Sequence, residues 1–266
     1  MRIAIIGAGV MGETLLSGLL RAGRQPDDIV IAERRSERAD ELTGRYGVAV
    51  LDNTGAAAAA DTILLVVKPQ DMDSVLAQIH DHVRDHALVI SLAAGITTTY
   101  LESRLPAGTA VVRVMPNTPA LVEEGMSAIS PGSSCDEEHL TETESLLRAV
   151  GQVIRVPEKQ QDAVTAISGS GPAYIFFVVE SMIEAGVHLG LPRTTATQLA
   201  VQTAFGSAKL LRETGQHPTV LREQVTSPGG TTAAALRHLE SHGVRAAFLA
   251  ALEAARDRSE ELGAQL

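Results

Sequence analysis

The chain has 266 residues, 45% of them apolar and 3% aromatic, and a formal net charge of −10. That length allows one large domain or two moderate ones around a sizeable core. The acidic balance argues against a broad nucleic-acid-binding face, the few aromatics against a base-stacking one, and the single cysteine, Cys135, against an intrachain disulfide framework.

Cys135 sits in the polar stretch Pro131–Cys135 with no basic neighbour, so its thiol reads as incidental and a reducing, cytoplasmic setting fits. The apolar run Ile3–Ile6 is too short for a secretory signal. No run of about 18 uninterrupted apolar residues occurs, so no membrane span is expected.

In chain order, Arg2–Ile6 reads as a strand and Gly12–Arg21 as a helix. Ile29–Ala32 is a strand, Glu37–Tyr46 a helix and Val48–Leu51 a short further strand. The alanine run Ala56–Ala60 reads as a short helix, since alanine is the strongest helix former. Thr62–Val67 and Ala87–Leu92 are strands separated by helical Met72–Val83, and Thr109–Val114 is another strand. Gly125–Ile129 and Gln152–Val156 close the sheet. The alternation, with strands too apolar to face water, predicts a doubly wound parallel sheet with helices on both faces. After Pro157 the pattern becomes helical: Pro172–Leu189, Thr194–Glu213 and Val244–Leu262, with breaks at Gly169–Gly171, Gly190–Pro192 and Ser227–Gly230. The expected division is therefore an α/β domain over residues 1–157 and an all-α domain over 158–266. Alanine-rich helices of this kind often pair with a second copy of themselves.

Gly7-Ala8-Gly9-Val10-Met11-Gly12 is a G-x-G-x-x-G set between a strand and a helix, the context the motif requires. Gly7 permits the turn, Gly9 lets backbone approach a pyrophosphate, and Gly12 brings helix and strand together. The helix start then offers free N–H groups and the positive end of its dipole. The second strand ends in Ala32-Glu33-Arg34-Arg35-Ser36. Glu33 stands where an acid binds the ribose 2′-hydroxyl of NAD, whereas Arg34, Arg35 and Ser36 suit the 2′-phosphate of NADP. Two arginines and a serine outweigh one acid that can turn outward, so NADPH is expected, with NADH the alternative. Lys68-Pro69 and the rigid loop Met115–Pro119, with Asn117, follow strands on the ligand-binding edge of such a sheet.

Farther on, Val225–Leu236 carries Ser227-Pro228-Gly229-Gly230-Thr231-Thr232. A glycine pair before a helix start exposes unpaired N–H groups and suits a small anion such as a carboxylate. Thr232 adds a hydroxyl that donates and accepts; a plain threonine N-cap is the alternative. Ser168–Tyr174 is a second glycine turn. His188, His217, His238 and His242 make no metal-ligand cluster, because His238 and His242 lack a third partner; no metal is expected.

Together, Ile3–Leu16, Val66–Gln70, Ser91–Gly95, Val114–Pro119, Ala166–Tyr174 and Val225–Glu240 resemble the pyrroline-5-carboxylate reductases across nearly the whole chain. Thr226–Thr232 with its continuation Leu236–Glu240 is the most specific part. The resemblance implies a Rossmann domain, a helical dimerisation domain and an active site near the dimer interface. It implies reduction of 1-pyrroline-5-carboxylate to L-proline by a cytoplasmic homodimer, or a higher oligomer built from dimers, in amino-acid biosynthesis, with no nucleic-acid or membrane partner. Carried over by motif, Ile6, Gly7, Ala8, Gly9, Val10, Met11, Arg34, Arg35, Ser36, Asn53, Val66, Val67, Lys68, Pro69, Ala93, Ala94 and Gly95 bind the dinucleotide, joined by Gly12 and Asn117 from the reading above. Ser227, Gly229, Gly230, Thr231 and Thr232 hold the substrate, with Glu158 placed near it and Thr232 in the catalytic role. Two other readings compete. A β-hydroxyacid dehydrogenase joins similar domains and relies on a helical-domain lysine; Lys209 is available, but no matching motif surrounds it. An NADPH-sensing module needs no second ligand site, and the Pro228–Thr232 turn argues against it.

Overall fold

Ile3–Ile6 (β1) is apolar at every position and buried on both faces, as befits a central strand covered on each side by helices. Seven strands join it: β2 (Ile29–Ala32), β3 (Ala49–Leu51), β4 (Thr62–Leu65), β5 (Leu88–Ser91), β6 (Ala110–Met115), β7 (Gly125–Pro131) and β8 (Gly151–Arg155). In the computed structural model, which describes residues 1–264, their order is β3-β2-β1-β4-β5-β6-β7-β8. β1 lies between β2 and β4, with Ile3 beside Ile29 and Thr62.

The sheet is parallel from β3 to β6, but β7 runs antiparallel to β6, and β8 parallel to β7. The doubly wound, mainly parallel sheet expected from sequence is present, with β7 and β8 running against the other six strands. Only a single-turn segment, Thr118–Val122, separates β6 from β7, and a parallel return needs a crossover of a dozen or more residues.

The helices of this part are α1 (Val10–Arg21), α2 (Ser36–Tyr46), α3 (Asn53–Ala59), α4 (Met72–Ile79), α5 (Thr98–Glu102) and α6 (Glu137–Leu147). Alternation along the strands splits the core in two. Ile3, Ile5, Ile29 and Ile31 pack with Leu15 and Leu19 of α1, Leu42 of α2 and Leu146 of α6. Ala4, Ile6, Val30 and Ala32 point the other way, onto Ala56 and Ala57 of α3, Met72 and Leu76 of α4 and Leu101 of α5. Alanines at 56 and 57 let α3 lie close against the strands. Cys135 is half-buried and donates to the carbonyl of Val111 at 2.9 Å, and burial pushes its thiol up.

The chain divides into two units: Met1–Ser170 together with the chain from Ala255 on, and Gly171–Ala254. α7 (Gln161–Val164) and a π-turn over Thr165–Gly169 belong to the first. The second is helical: α8 (Gly171–His188), α9 (Arg193–Thr214), α10 (Pro218–Gln224), α11 (Thr231–Ser241) and the start of α12 (Val244–Ala264). In it, α8 and α9 pack closely, so that a β-carbon on Gly186 would meet Ala196 at 2.9 Å, and Glu184 pairs with Arg193 at 2.7 Å.

The expected break at Gly169–Gly171 is not a break. The backbone absorbs one extra residue as a π-turn and stays helical from Glu158 to His188, a run that is long and apolar enough to cross a membrane by length and composition. Almost none of its most apolar stretch is buried in the single chain, and Phe176 and Phe177 are about two-thirds exposed.

α1 and α2 are tied by Glu13, in the first turn of α1. Its carboxylate accepts from Arg38, from Arg45 at 2.9 Å and from the Tyr46 hydroxyl at 2.8 Å. Burial raises the Glu13 carboxyl, but the hydrogen bonds from Arg38 and Tyr46 and both arginine charges outweigh it, so it titrates below its ordinary range. A depressed carboxylate stabilises the fold above its unfolded pKa, about 4.3, and that contribution is lost as pH falls through the folded value. Glu13→Gln is therefore expected to lower the unfolding free energy at pH 7 by roughly 1 kcal/mol. The gap should close below about pH 3. Urea titrations at both pH values check this; an equal loss at both would show that charge is not the cause.

Candidate functional site

Where β1 ends, Gly7 adopts φ +98° and its N–H donates to the carbonyl of Ala32 at 3.1 Å. A β-carbon on Gly7 would lie 2.6 Å from the carbonyl oxygen of Val66, and one on Gly12 would lie 2.2 Å from the carbonyl oxygen of Gly7. Both clashes are with backbone, which cannot swing aside. Gly9, by contrast, faces open space. It is the N-cap of α1 and brings no capping side chain, and the first helical bond is Glu13 N–H to Gly9 carbonyl at 2.9 Å. The N–H groups of Val10, Met11 and Gly12 are thus left to whatever occupies the space above them.

That space is a cavity of about 400 Å³ at the carboxyl ends of β1, β2 and β4. Of the expected cofactor residues, Ile6, Gly7, Gly9, Arg34, Arg35, Asn53, Val67 and Lys68 line it. Gln70, Asp71, Ser74 and Gln78 also line it. Sequence reasoning missed Asp71, Ser74 and Gln78; the spacing of four between Ser74 and Gln78, on the helix after β4, was the available signal. Gln78 accepts from the Asn53 side chain at 2.8 Å and donates to Ser74 at 3.2 Å, making one polar wall.

Ala8, Val10, Met11 and Gly12 shape the turn, and Ser36 is the exposed first residue of α2. Pro69, Ala94 and Gly95 border a second cavity, of about 620 Å³, with Thr165, Ser170 and the end of α12, including Arg258 and Ser259. Ser259 donates to Asp162 at 2.7 Å and so fixes the end of α12 there. Ala93 is buried in the core beside these turns. The α12 contribution was not legible in sequence, because nothing local says that a C-terminal helix returns to the sheet.

Three of the expected polar groups are engaged within the chain. Glu33 does not turn outward. Its side chain is 9% exposed, and its carboxylate accepts from the Arg35 backbone N–H at 3.0 Å, Nε at 3.1 Å and Nη2 at 3.3 Å. Burial raises this carboxyl, and the Arg35 hydrogen bonds more than offset that, leaving it below its usual range. Asn117 does not present a free amide. Its Nδ2 donates to the carbonyl and hydroxyl of Ser168 at 3.3 and 3.2 Å, and its Oδ1 accepts from Met126 N–H at 2.8 Å. It braces the loop after β6. Glu158, expected near the substrate, accepts from the N–H and hydroxyl of Thr98 at 2.7 and 2.6 Å and pairs with buried Arg113 at 3.3 Å. Its carboxylate is committed to α5 and β6.

In the second unit, Gly230 is the N-cap of α11 and again brings no side chain, so the threonine-cap alternative does not hold. Gly230 N–H turns back to the Ser227 carbonyl at 3.0 Å, and the first helical bond is Ala234 N–H to Gly230 carbonyl at 3.2 Å. Thr231, Thr232 and Ala233 therefore present N–H groups without helical partners. Ser227, Gly229 and Thr231 are exposed and Thr232 is partly so. Lys209 forms an ordinary i,i+4 pair with Glu213 at 3.6 Å on the surface of α9. Among the described residues there is no group of three or more His, Cys, Asp or Glu arranged to hold a metal.

Two family models match the chain: "Pyrroline-5-carboxylate reductase dimerisation" over residues 158–262 and "NADP oxidoreductase coenzyme F420-dependent" over residues 2–95. The pyrroline-5-carboxylate reductase of Corynebacterium melassecola is 49% identical over 265 residues, covering 98% of each chain. That of Mycobacterium tuberculosis is 48% identical, covering 98% of this chain and 96% of the other. Among solved structures, the pyrroline-5-carboxylate reductase of Coxiella burnetii superposes with a TM-score of 0.94 at 40% identity over 98% of each chain. The Plasmodium falciparum pyrroline carboxylate reductase with NADP bound gives 0.88 at 30% identity, over 99% of this chain and 98% of that one.

The commitments of Glu158 are open to test. Glu158→Ala leaves Arg113, whose side chain is 7% exposed, without its counter-charge. It should lower stability by roughly 3 kcal/mol and leave the KM for the organic substrate within about threefold of wild type. Urea unfolding and steady-state kinetics decide; an intact fold with a much higher KM would return Glu158 to the substrate site.

Proposed function

Because the chain belongs to the pyrroline-5-carboxylate reductase family, we propose that it reduces 1-pyrroline-5-carboxylate to L-proline with NADPH, the last step of proline biosynthesis. The observation that carries this reading is the bare start of α1, open on a cavity that also holds Arg34, Asn53 and Lys68. The lining suits a dinucleotide. The N–H groups above Gly9 suit the pyrophosphate, and Arg34, 82% exposed and held to Asp71 only by a loose 3.9 Å pair, is free to exchange that contact for a 2′-phosphate.

The reduced nicotinamide, when bound, supplies the hydride. The chain's own work is to bind, orient and manage the proton. The N–H groups at the start of α11 grip the substrate carboxylate, with Ser227, Gly229 and Gly230 shaping the turn. The Thr232 hydroxyl hydrogen-bonds the imine nitrogen. A threonine is too weak an acid to protonate a free imine well, so Thr232 orients or relays, and water or an already protonated substrate supplies the proton. Residues 1–157 take the dinucleotide part of the work, and residues 158–266 the substrate and assembly part.

The exposed apolar residues of α8 and α9, Phe176, Phe177 and Phe205 among them, leave a face too large for a lone subunit. We assign it to a second copy rather than to lipid, in line with the dimerisation family model over 158–262. The assembly is a homodimer, or a larger oligomer built from dimers, working in the cytoplasm on a small molecule.

Loss of NADPH absorbance on adding the imine tests the activity, and no oxidation in its presence would end the proposal. Thr232→Ala should lower kcat by roughly ten- to a thousandfold, as loss of one positioned transition-state donor does, with NADPH binding unchanged. An unchanged kcat would remove Thr232 from the mechanism.

A further inference from the structure

The loop after β2 holds two arginines and one acid, and they are not equivalent. Arg34 extends into solvent. Arg35 is folded back onto Glu33, engaging both carboxylate oxygens through Nε and Nη2 and one of them again through its backbone N–H. Both residues line the dinucleotide cavity. A carboxylate at this place in a Rossmann fold has one ordinary use, to accept from the adenosine ribose hydroxyls, and one ordinary effect, to repel a 2′-phosphate. Here its acceptor sites face a guanidinium and its charge is cancelled within the loop.

We infer that Arg35 serves as a latch on Glu33 rather than as a ligand of the cofactor, and that this latch sets the preference for NADPH over NADH. The inference rests on the dinucleotide reading above. With Glu33 held, NADH loses its ribose partner and NADPH loses its repulsion. Arg34 and Ser36, at the uncapped start of α2, remain to receive the phosphate. Of the other charges near the loop, Asp71 lines the same cavity and is met by Arg34 itself at 3.9 Å, a loose contact that a phosphate would replace. Arg38 is taken by Glu13 and Glu41. A latch and a direct ligand make opposite predictions for a double mutant. If Arg35 bound phosphate itself, its loss would harm NADPH whether or not Glu33 carried a charge. If it acts through Glu33, removing that charge repairs the damage.

The test is a double-mutant cycle on the full-length protein, with Kd for NADPH and for NADH read from reduced-nicotinamide fluorescence, independent of turnover. Arg35→Ala should weaken NADPH at least tenfold and tighten NADH about threefold or more, and Glu33→Gln added to it should bring NADPH back to within about threefold of wild type. Glu33→Gln alone should not weaken NADPH. A double mutant as poor for NADPH as Arg35→Ala, or an Arg35→Ala protein with no gain for NADH, overturns the latch. So does a wild-type protein that prefers NADH. Wild type binding neither nucleotide overturns the dinucleotide reading as well. Wild type that binds NADPH as expected but reduces no imine overturns the proposed activity and leaves the cycle intact. Arg35→Ala should melt lowest of the four, because it leaves the 9%-exposed Glu33 carboxylate without its counter-charge, so all four Kd values are read well below its transition.

Discussion

A β-carbon at position 7 would press 2.6 Å from the Val66 carbonyl, and one at position 12 would press 2.2 Å from the Gly7 carbonyl. This exclusion of side chains holds three strands and a helix in one arrangement. Gly7 N–H reaches β2 at Ala32, Val66 continues β4 through an N–H to the Ile6 carbonyl at 2.8 Å, and α1 leaves the turn at a fixed angle. β1 lies between β2 and β4, where the winding of the sheet reverses, so the helix start opens into the crevice that such a reversal creates. Gly9, between the two tight glycines, has nothing over it. The motif thus works as two contacts that forbid bulk and one position that leaves room for a ligand.

Most of this was legible because it is local. The glycine spacing, the apolar strands and the helical periods of α1, α2 and α9 are written in adjacent residues. What escaped is what depends on partners distant in sequence. The antiparallel β7 followed from the length of a connection, and a short apolar strand carries no mark of its direction. Glu33 was read as free to turn outward, and Asn117 and Glu158 as free to meet a ligand, since sequence shows a polar group but not who satisfies it. Asn117 answers to Ser168, Glu158 to Thr98 and Arg113. The π-turn at Thr165–Gly169 has the composition of a break, and helix on both sides carries the backbone through it.

Charge is managed in the same local way. The chain carries 22 basic against 32 acidic residues, yet both proposed ligands are anions. A net field of that sign repels them at long range, so attraction must be built within a Debye length, about 8 Å in physiological salt. In the first unit several of the nearby acids are spoken for: Glu13 by Arg38 and Arg45, Glu33 by Arg35. Arg34 and Lys68 then stand at the cavity over the N–H groups of α1. The sign of the whole molecule therefore says little about the sign at its site.

Helix starts carry the argument one step further. Four of them are closed by their own chain: Asp52 caps α3, Thr97 caps α5, Asp136 caps α6 and His217 caps α10. A capping side chain is worth about 1 kcal/mol and satisfies N–H groups that would otherwise need water. The starts of α1 and α11 forgo it, with glycine at the N-cap in each. Glycine there costs only a few tenths of a kcal/mol relative to a capping residue, and it leaves the amide groups bare and approachable. The two glycine starts therefore give up little stability and keep a concentrated positive potential, one over the dinucleotide cavity and one in the Gly229–Thr232 turn. A serine or aspartate at either position would stabilise its helix and occupy the donors that the proposed reaction requires.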